Sequence, residues 1–130
     1  MSSTGHRFLL MRVILMAAIA GASMPWAPCV GQEAAPRPSV FDQCAVCHST
    51  DGSNGTGPTL KGLFGRPAGS VPGFRYSRAL RGAGVVWDAN ALDDYLRSPQ
   101  DFIPGNVMPF SGMPDSTERA GLIAYLRSLK

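Results

Sequence analysis

Five consecutive residues, Cys44-Ala45-Val46-Cys47-His48, constrain this chain more than any other feature. Two cysteines separated by two residues, with a histidine directly after the second, form the attachment signature of a c-type haem. On a helical turn Cys44 and Cys47 stand three positions apart and share a face, so both thiols can reach the vinyl groups of one porphyrin edge. His48 then projects its imidazole over the ring toward the iron. A zinc site needs about four protein ligands, usually from a second CxxC or a paired histidine arm. The other cysteine and histidine are Cys29 and His6, both in what reads as a leader. A thioredoxin-type dithiol calls for a βαβ setting, and no strand-rich pattern flanks the motif.

A chain of 130 residues has room for one domain. Its start reads as a secretory signal peptide over 1–31, with Arg7 and Arg12 before the apolar run Val13 to Ala22. That run is too short for a comfortable membrane span, and Met11-Arg12 offers an alternative start. A membrane attachment follows only if this leader stays uncleaved. Residues 32–38, with Pro36 and Pro38, read as a linker, and 39–130 as the functional domain. From Gln32 onward ten basic residues face nine acidic ones, a net charge of +1. Such a domain has no charge-based case for nucleic acid binding. With the leader removed only Cys44 and Cys47 remain, so no structural disulfide is expected.

The pattern along the domain predicts an all-α fold with long loops. A helix is expected from about Ser39, capped by Ser39 with Asp42 in its first turn, running into the CAVCH turn. Ser49 to Gly69 and Ser70 to Val86 show no period and read as loops. Asp88 caps a helix through Leu92, Tyr95 and Leu96 that stops near Ser98, ahead of Pro99. Phe102 to Met113 is a third loop. Asp115-x-x-Glu118 forms a capping box, and the helix behind it sets Leu122, Tyr125, Leu126 and Leu129 on one face. So much loop calls for something to pack against, and a haem supplies it.

Taken together, CAVCH, GPTLKGLFGRPAG, VPGFRYSRAL, Trp87, DFIPGNVMPF and ERAGLIAYLRSLK resemble class I cytochrome c, the mitochondrial-type branch with its bacterial relatives. The resemblance runs from about Val40 to Lys130. It implies a small cytochrome c fold, helices and loops wrapped around one haem c bound covalently through Cys44 and Cys47. His48 is then the proximal iron ligand. On residue type alone Met108 and Met113 both stand open as the second ligand, since an isolated methionine is usually core filler. Ile103-Pro104-Gly105 and Pro109 stiffen the chain around Met108, and the resemblance assigns the thioether ligand there. It also implies that Pro58 accepts the ring N–H of the proximal histidine. Arg66, Tyr76 and Trp87 meet the haem propionates, Tyr95 reaches the methionine side of the iron, and Phe110 stands at the haem edge. Read by themselves, Trp87 is ordinary core and Arg66 a surface charge.

The chain departs from the family pattern at several places. Pro36 and Pro38 shorten the first helix, Val40 replaces an aromatic residue, and the loop from His48 to Pro58 is shorter. Asn106 replaces a threonine near the methionine, and Leu80 an asparagine near the propionates. Gln43, Gln100, Val107, Pro114 and Asp115 stand where the family often carries lysine, which argues against docking to a strongly acidic surface. The expected function is that of a monohaem one-electron carrier with His/Met-ligated iron. It is exported to the periplasm, monomeric, and not an enzyme. The implied partners are a quinol-oxidising complex on one side and an oxidase, reductase or dehydrogenase on the other. The alternative is the dedicated haem subunit of a periplasmic oxidoreductase complex. A peroxidase needs a distal acid–base group, normally histidine, and none follows His48.

Overall fold

The computed structural model describes residues 34–130; the expected signal peptide over 1–31 lies outside them. Residues 34–38 have irregular backbone, as the prolines there require. The chain then enters one 3-10 turn, Ser39–Phe41, followed by α1, Asp42–Ala45. Ser39 does not cap this helix. Pro38 takes the cap position with extended backbone, because its fixed φ and missing N–H suit the entrance to a helical turn. The turn continues past α1, since the Cys47 and His48 N–H groups both donate to the Cys44 carbonyl at 3.1 and 2.9 Å. The CAVCH motif is therefore one wound turn, as its spacing predicts.

After a long loop comes α2, Arg78–Arg81, capped by the Ser77 hydroxyl, which accepts from the Leu80 N–H. The sequence reads this segment as loop, because four residues carry no measurable period. An isolated bridge between Pro67 and Val86 closes the loop's neck, with the Trp87 N–H donating to the Arg66 carbonyl at 3.0 Å. No longer strand occurs among the described residues.

Helix α3, Ala89–Arg97, starts where Asp88 accepts from the Ala91 N–H at 2.8 Å and ends at Ser98. Proline disfavours helical backbone in the residue before it, and Ser98 is extended. Pro99 then opens a second short helix, α4, Pro99–Phe102, at the position where its absent N–H costs nothing. The expected third loop is thus preceded by a helical turn. Helix α5, Ser116–Ser128, begins on Asp115, whose carboxylate accepts from the Thr117 and Glu118 N–H groups at 2.8 and 2.9 Å. Only this forward half of the capping box forms.

Helix α3 packs on α4 and α5, and the opening 3-10 turn packs on α5. Phe41 meets Tyr125 edge-on at 4.9 Å, so the shortened first helix still crosses the last one. Leu92, Tyr95, Leu96, Ile103, Met113, Leu122, Ile123 and Leu126 join Phe41, Leu63 and Trp87 in one core. Gly112 lets the chain pass over the end of α3: its φ is +110°, and a Cβ there would run into the Arg97 carbonyl. No helix of the described residues is long and apolar enough to cross a membrane.

Candidate functional site

The CAVCH turn and the loops around Pro58, Tyr76 and Met108 wall a cleft of about 360 Å³. Cys47, His48, Gly57, Pro58, Tyr76, Tyr95 and Met108 face it. The His48 Nδ1–H donates to the Pro58 carbonyl at 2.7 Å, which leaves Nε2 with its lone pair free for a metal. Gly57 sets the ring's other boundary. A Cβ at that position would lie 2.5 Å from His48 Cε1 and 2.9 Å from Nε2, so the imidazole lies flat against bare backbone. Gly57 is itself tied to the motif, its N–H donating to the Cys47 carbonyl at 2.8 Å.

Met108 lies on the same cleft, half-buried, with the Tyr95 hydroxyl 3.6 Å from its sulfur. Burial pushes the Tyr95 hydroxyl up to about pKa 12, so it keeps its proton and can donate. Met113, the competing methionine, is buried in the core, and its N–H donates to the Leu96 carbonyl at 2.8 Å. It has no access to the cleft wall.

Four expected site residues do not line the cleft. Cys44 packs against the core beneath the turn, and burial pushes its thiol up. A protonated thiol is unsuited to dithiol exchange. Arg66 turns its guanidinium toward loop backbone, donating to the Lys61 and Thr59 carbonyls at 2.8 Å each. It is close enough to Tyr76 to favour that residue's ionised form, although burial dominates and raises the Tyr76 hydroxyl. Trp87 is core, tilted against Tyr95 with ring centres 5.0 Å apart. Phe110 packs half-buried at the core's edge. Two contributions escape a sequence reading: Gly57 as the backing of the imidazole, and the bonds by which Asn106 anchors the Met108 loop. Asn106 itself stands out in the sequence as a departure beside the methionine, but the groups it bonds do not.

The donor chemistry is one imidazole nitrogen and one thioether, with no cluster of three His, Cys, Asp or Glu side chains among the described residues. That excludes a zinc site among them and fits an iron porphyrin, whose ring supplies the remaining ligands. The bare backbone at Gly57, the free Nε2 and two free thiols on one turn accommodate a haem held from that side.

The sequence pattern of the family described as Cytochrome c matches residues 38–130. The chain is 43% identical to cytochrome c2 of Blastochloris viridis over 78% of this chain and 81% of that protein. It is 48% identical to cytochrome c of Sesamum indicum over 65% of this chain and 78% of the relative. Among solved structures it is similar to cytochrome cH from Methylobacterium extorquens, with a TM-score of 0.65 and 39% identity over 68% of this chain and 90% of that one.

Proposed function

The chain belongs to the cytochrome c family, and on that premise we propose that His48 and Met108 would be the protein's two ligands to its single haem iron. It is a monohaem c-type cytochrome, an electron carrier with haem c attached through Cys44 and Cys47. The observation that carries the ligand assignment is one cleft lined by both His48 and Met108, with Met113 sequestered in the core.

When bound, the haem supplies a one-electron couple at iron. The protein's part is to hold two ligands still. The Pro58 carbonyl aims His48 Nε2 and strengthens it as a donor. The neutral Met108 thioether favours the reduced form and raises the potential. Tyr95 orients that sulfur through its hydroxyl. No second histidine stands on the cleft to move a proton, which supports a carrier rather than a peroxidase.

Pro58 and Tyr95 act on the ligands, while Arg66 supports the Pro58 loop and, with Tyr76, remains the candidate for propionate contact. Trp87 and Phe110 contribute packing around the haem. The protein works as a monomer exported to the periplasm, carrying electrons from a quinol-oxidising complex to an oxidase, reductase or dehydrogenase. The leader-like residues 1–31 support that location.

The test is the visible spectrum of the oxidised and reduced holo-protein, with carbon monoxide added to the reduced form. The expected result is a low-spin spectrum with the weak iron–methionine charge-transfer band and no carbon monoxide shift. Met108→Ala opens the site to carbon monoxide. A wild-type haem that binds carbon monoxide readily overturns the ligand assignment.

A further inference from the structure

The loop that carries Met108 is anchored by one buried amide. Asn106 is 5% exposed, and its side chain gives both donors and its oxygen to backbone. Nδ2 donates to the Pro99 carbonyl at 2.8 Å and to the Ile103 carbonyl at 3.0 Å, while Oδ1 accepts from the Met108 N–H at 3.0 Å. The backbone of Asn106 is pinned as well. Its N–H donates to the Ile103 carbonyl at 3.1 Å, and its carbonyl accepts from Gln100 Nε2 at 3.0 Å.

The orientation of the amide follows from its neighbours. Flipped, it would set its oxygen against two carbonyls and its NH2 against the Met108 N–H, losing every bond. The residue type is equally constrained. Threonine at this place has one donor where asparagine gives one to each of two carbonyls, and aspartate has none. The two carbonyls stand at the start and the end of α4 and already accept the Ile103 and Asn106 N–H groups, so the amide adds a second donor to each. A helix end, one amide and the methionine's own N–H therefore form a continuous link.

We propose that Asn106 is a positioning residue that holds Met108 on the iron, doing so through α4 rather than through the haem. This rests on Met108 being the ligand. An exogenous ligand must wait for the methionine loop to open, so its apparent affinity is scaled by the open fraction. Removing the buried amide strands the Met108 N–H and shifts that fraction by roughly ten- to a hundredfold.

The experiment is imidazole titration of the oxidised holo-protein, followed by loss of the iron–methionine charge-transfer band, alongside denaturant unfolding followed by helical ellipticity. Asn106→Ala is expected to bind imidazole about ten- to a hundredfold more tightly than wild type. Asn106→Thr falls between, keeping an acceptor for Met108 but only one donor. Gln100→Ala, at an exposed side chain, tightens binding about two- to fivefold and remains informative if Asn106→Ala does not fold. Leu122→Ala, in the core of α5, lowers the unfolding midpoint but changes imidazole affinity less than about twofold. If Leu122→Ala tightens binding as much as Asn106→Ala, the effect is general loosening and the proposal fails. Wild-type affinity in both Asn106→Thr and Gln100→Ala also overturns it, provided that Met108→Ala binds imidazole tightly. If Met108→Ala itself matches wild type, the ligand assignment has failed instead.

Discussion

At the scale of single residues, the site depends as much on an absent atom as on present ones. His48 is fixed on one side by the Pro58 carbonyl and backed by Gly57, where a methyl group would enter the ring at 2.5 Å. Gly57→Ala must therefore push the imidazole or the loop aside. Overpacking of this kind costs about 1–3 kcal/mol. The expected outcome is a lower unfolding midpoint with a perturbed low-spin spectrum, read by denaturation and visible absorption of the holo-protein. An unchanged spectrum at unchanged stability would show that the loop yields freely and that Gly57 does not set the ring. Cys44, Cys47 and His48 were legible because their chemistry fixes their spacing along the chain. Met108 stands out as the candidate ligand only with the family pattern beside it, since two methionines of equal standing follow the leader. Gly57 and Asn106 act on His48 and Met108 through close approach and hydrogen bonds that their residue types do not announce. A sequence shows which residues stand there but not what they touch.

Among the elements, α3 and α5 announce themselves by an acidic cap followed by apolar residues at helical spacing. In the structure Asp88 and Asp115 do cap them. Helices α2 and α4 are four residues each, too short for a period: the sequence reads α2 as loop and gives no sign of α4. Nor did the sequence disclose the tie between the two longer helices. Arg119 on α5 is buried and gives Nε to Asp93 Oδ1 on α3 at 2.8 Å and Nη2 to Oδ2 at 3.3 Å, while Nη1 donates to the Met113 and Pro114 carbonyls at 2.8 Å each. The Arg119 hydrogen bond holds the Asp93 carboxyl below the usual carboxylate range, with Arg97 adding a weaker pull. A carboxylate with a depressed folded pKa stabilises fully above its unfolded pKa of about 4 and loses that contribution as pH falls through the folded value. Asp93→Asn should therefore lower the thermal midpoint by a few degrees at neutral pH and converge with wild type in acid. Thermal unfolding across that range checks it; parallel curves would show that the pair contributes nothing dependent on protonation.

For the whole molecule, the core is small and is interrupted by a cleft of about 360 Å³ beneath the CAVCH turn. A domain of this size buries too little surface to be secure alone, so the haem completes the core as well as carrying the electron. Replacing Cys44 and Cys47 by serine is expected to leave haem extractable by acid acetone and to reduce far-UV helicity. Native helicity in the haem-free chain would show that the protein core suffices. The surface around the cleft bears on partner choice. Val107 at its rim is 76% exposed and Val46 within the CAVCH turn 81%, and Gln43, Gln100 and Pro109 are exposed beside the same loops. Among the described residues Arg75 is the only charged side chain lining the cleft, and the sequence from Gln32 onward has a net charge of +1. Long-range steering scales with such charge and is screened within a Debye length of about 10 Å at 0.1 M salt. The second-order rate of electron transfer to an acidic test protein, measured by stopped flow, should therefore fall less than about threefold between roughly 10 and 200 mM salt. Placing lysines at two family positions, Gln100→Lys with Val107→Lys, should raise the low-salt rate and steepen that dependence. A steep dependence already present in the wild type would mean that the arginines of this region, Arg75 on the cleft with Arg78 and Arg81 outside it, suffice to steer the encounter.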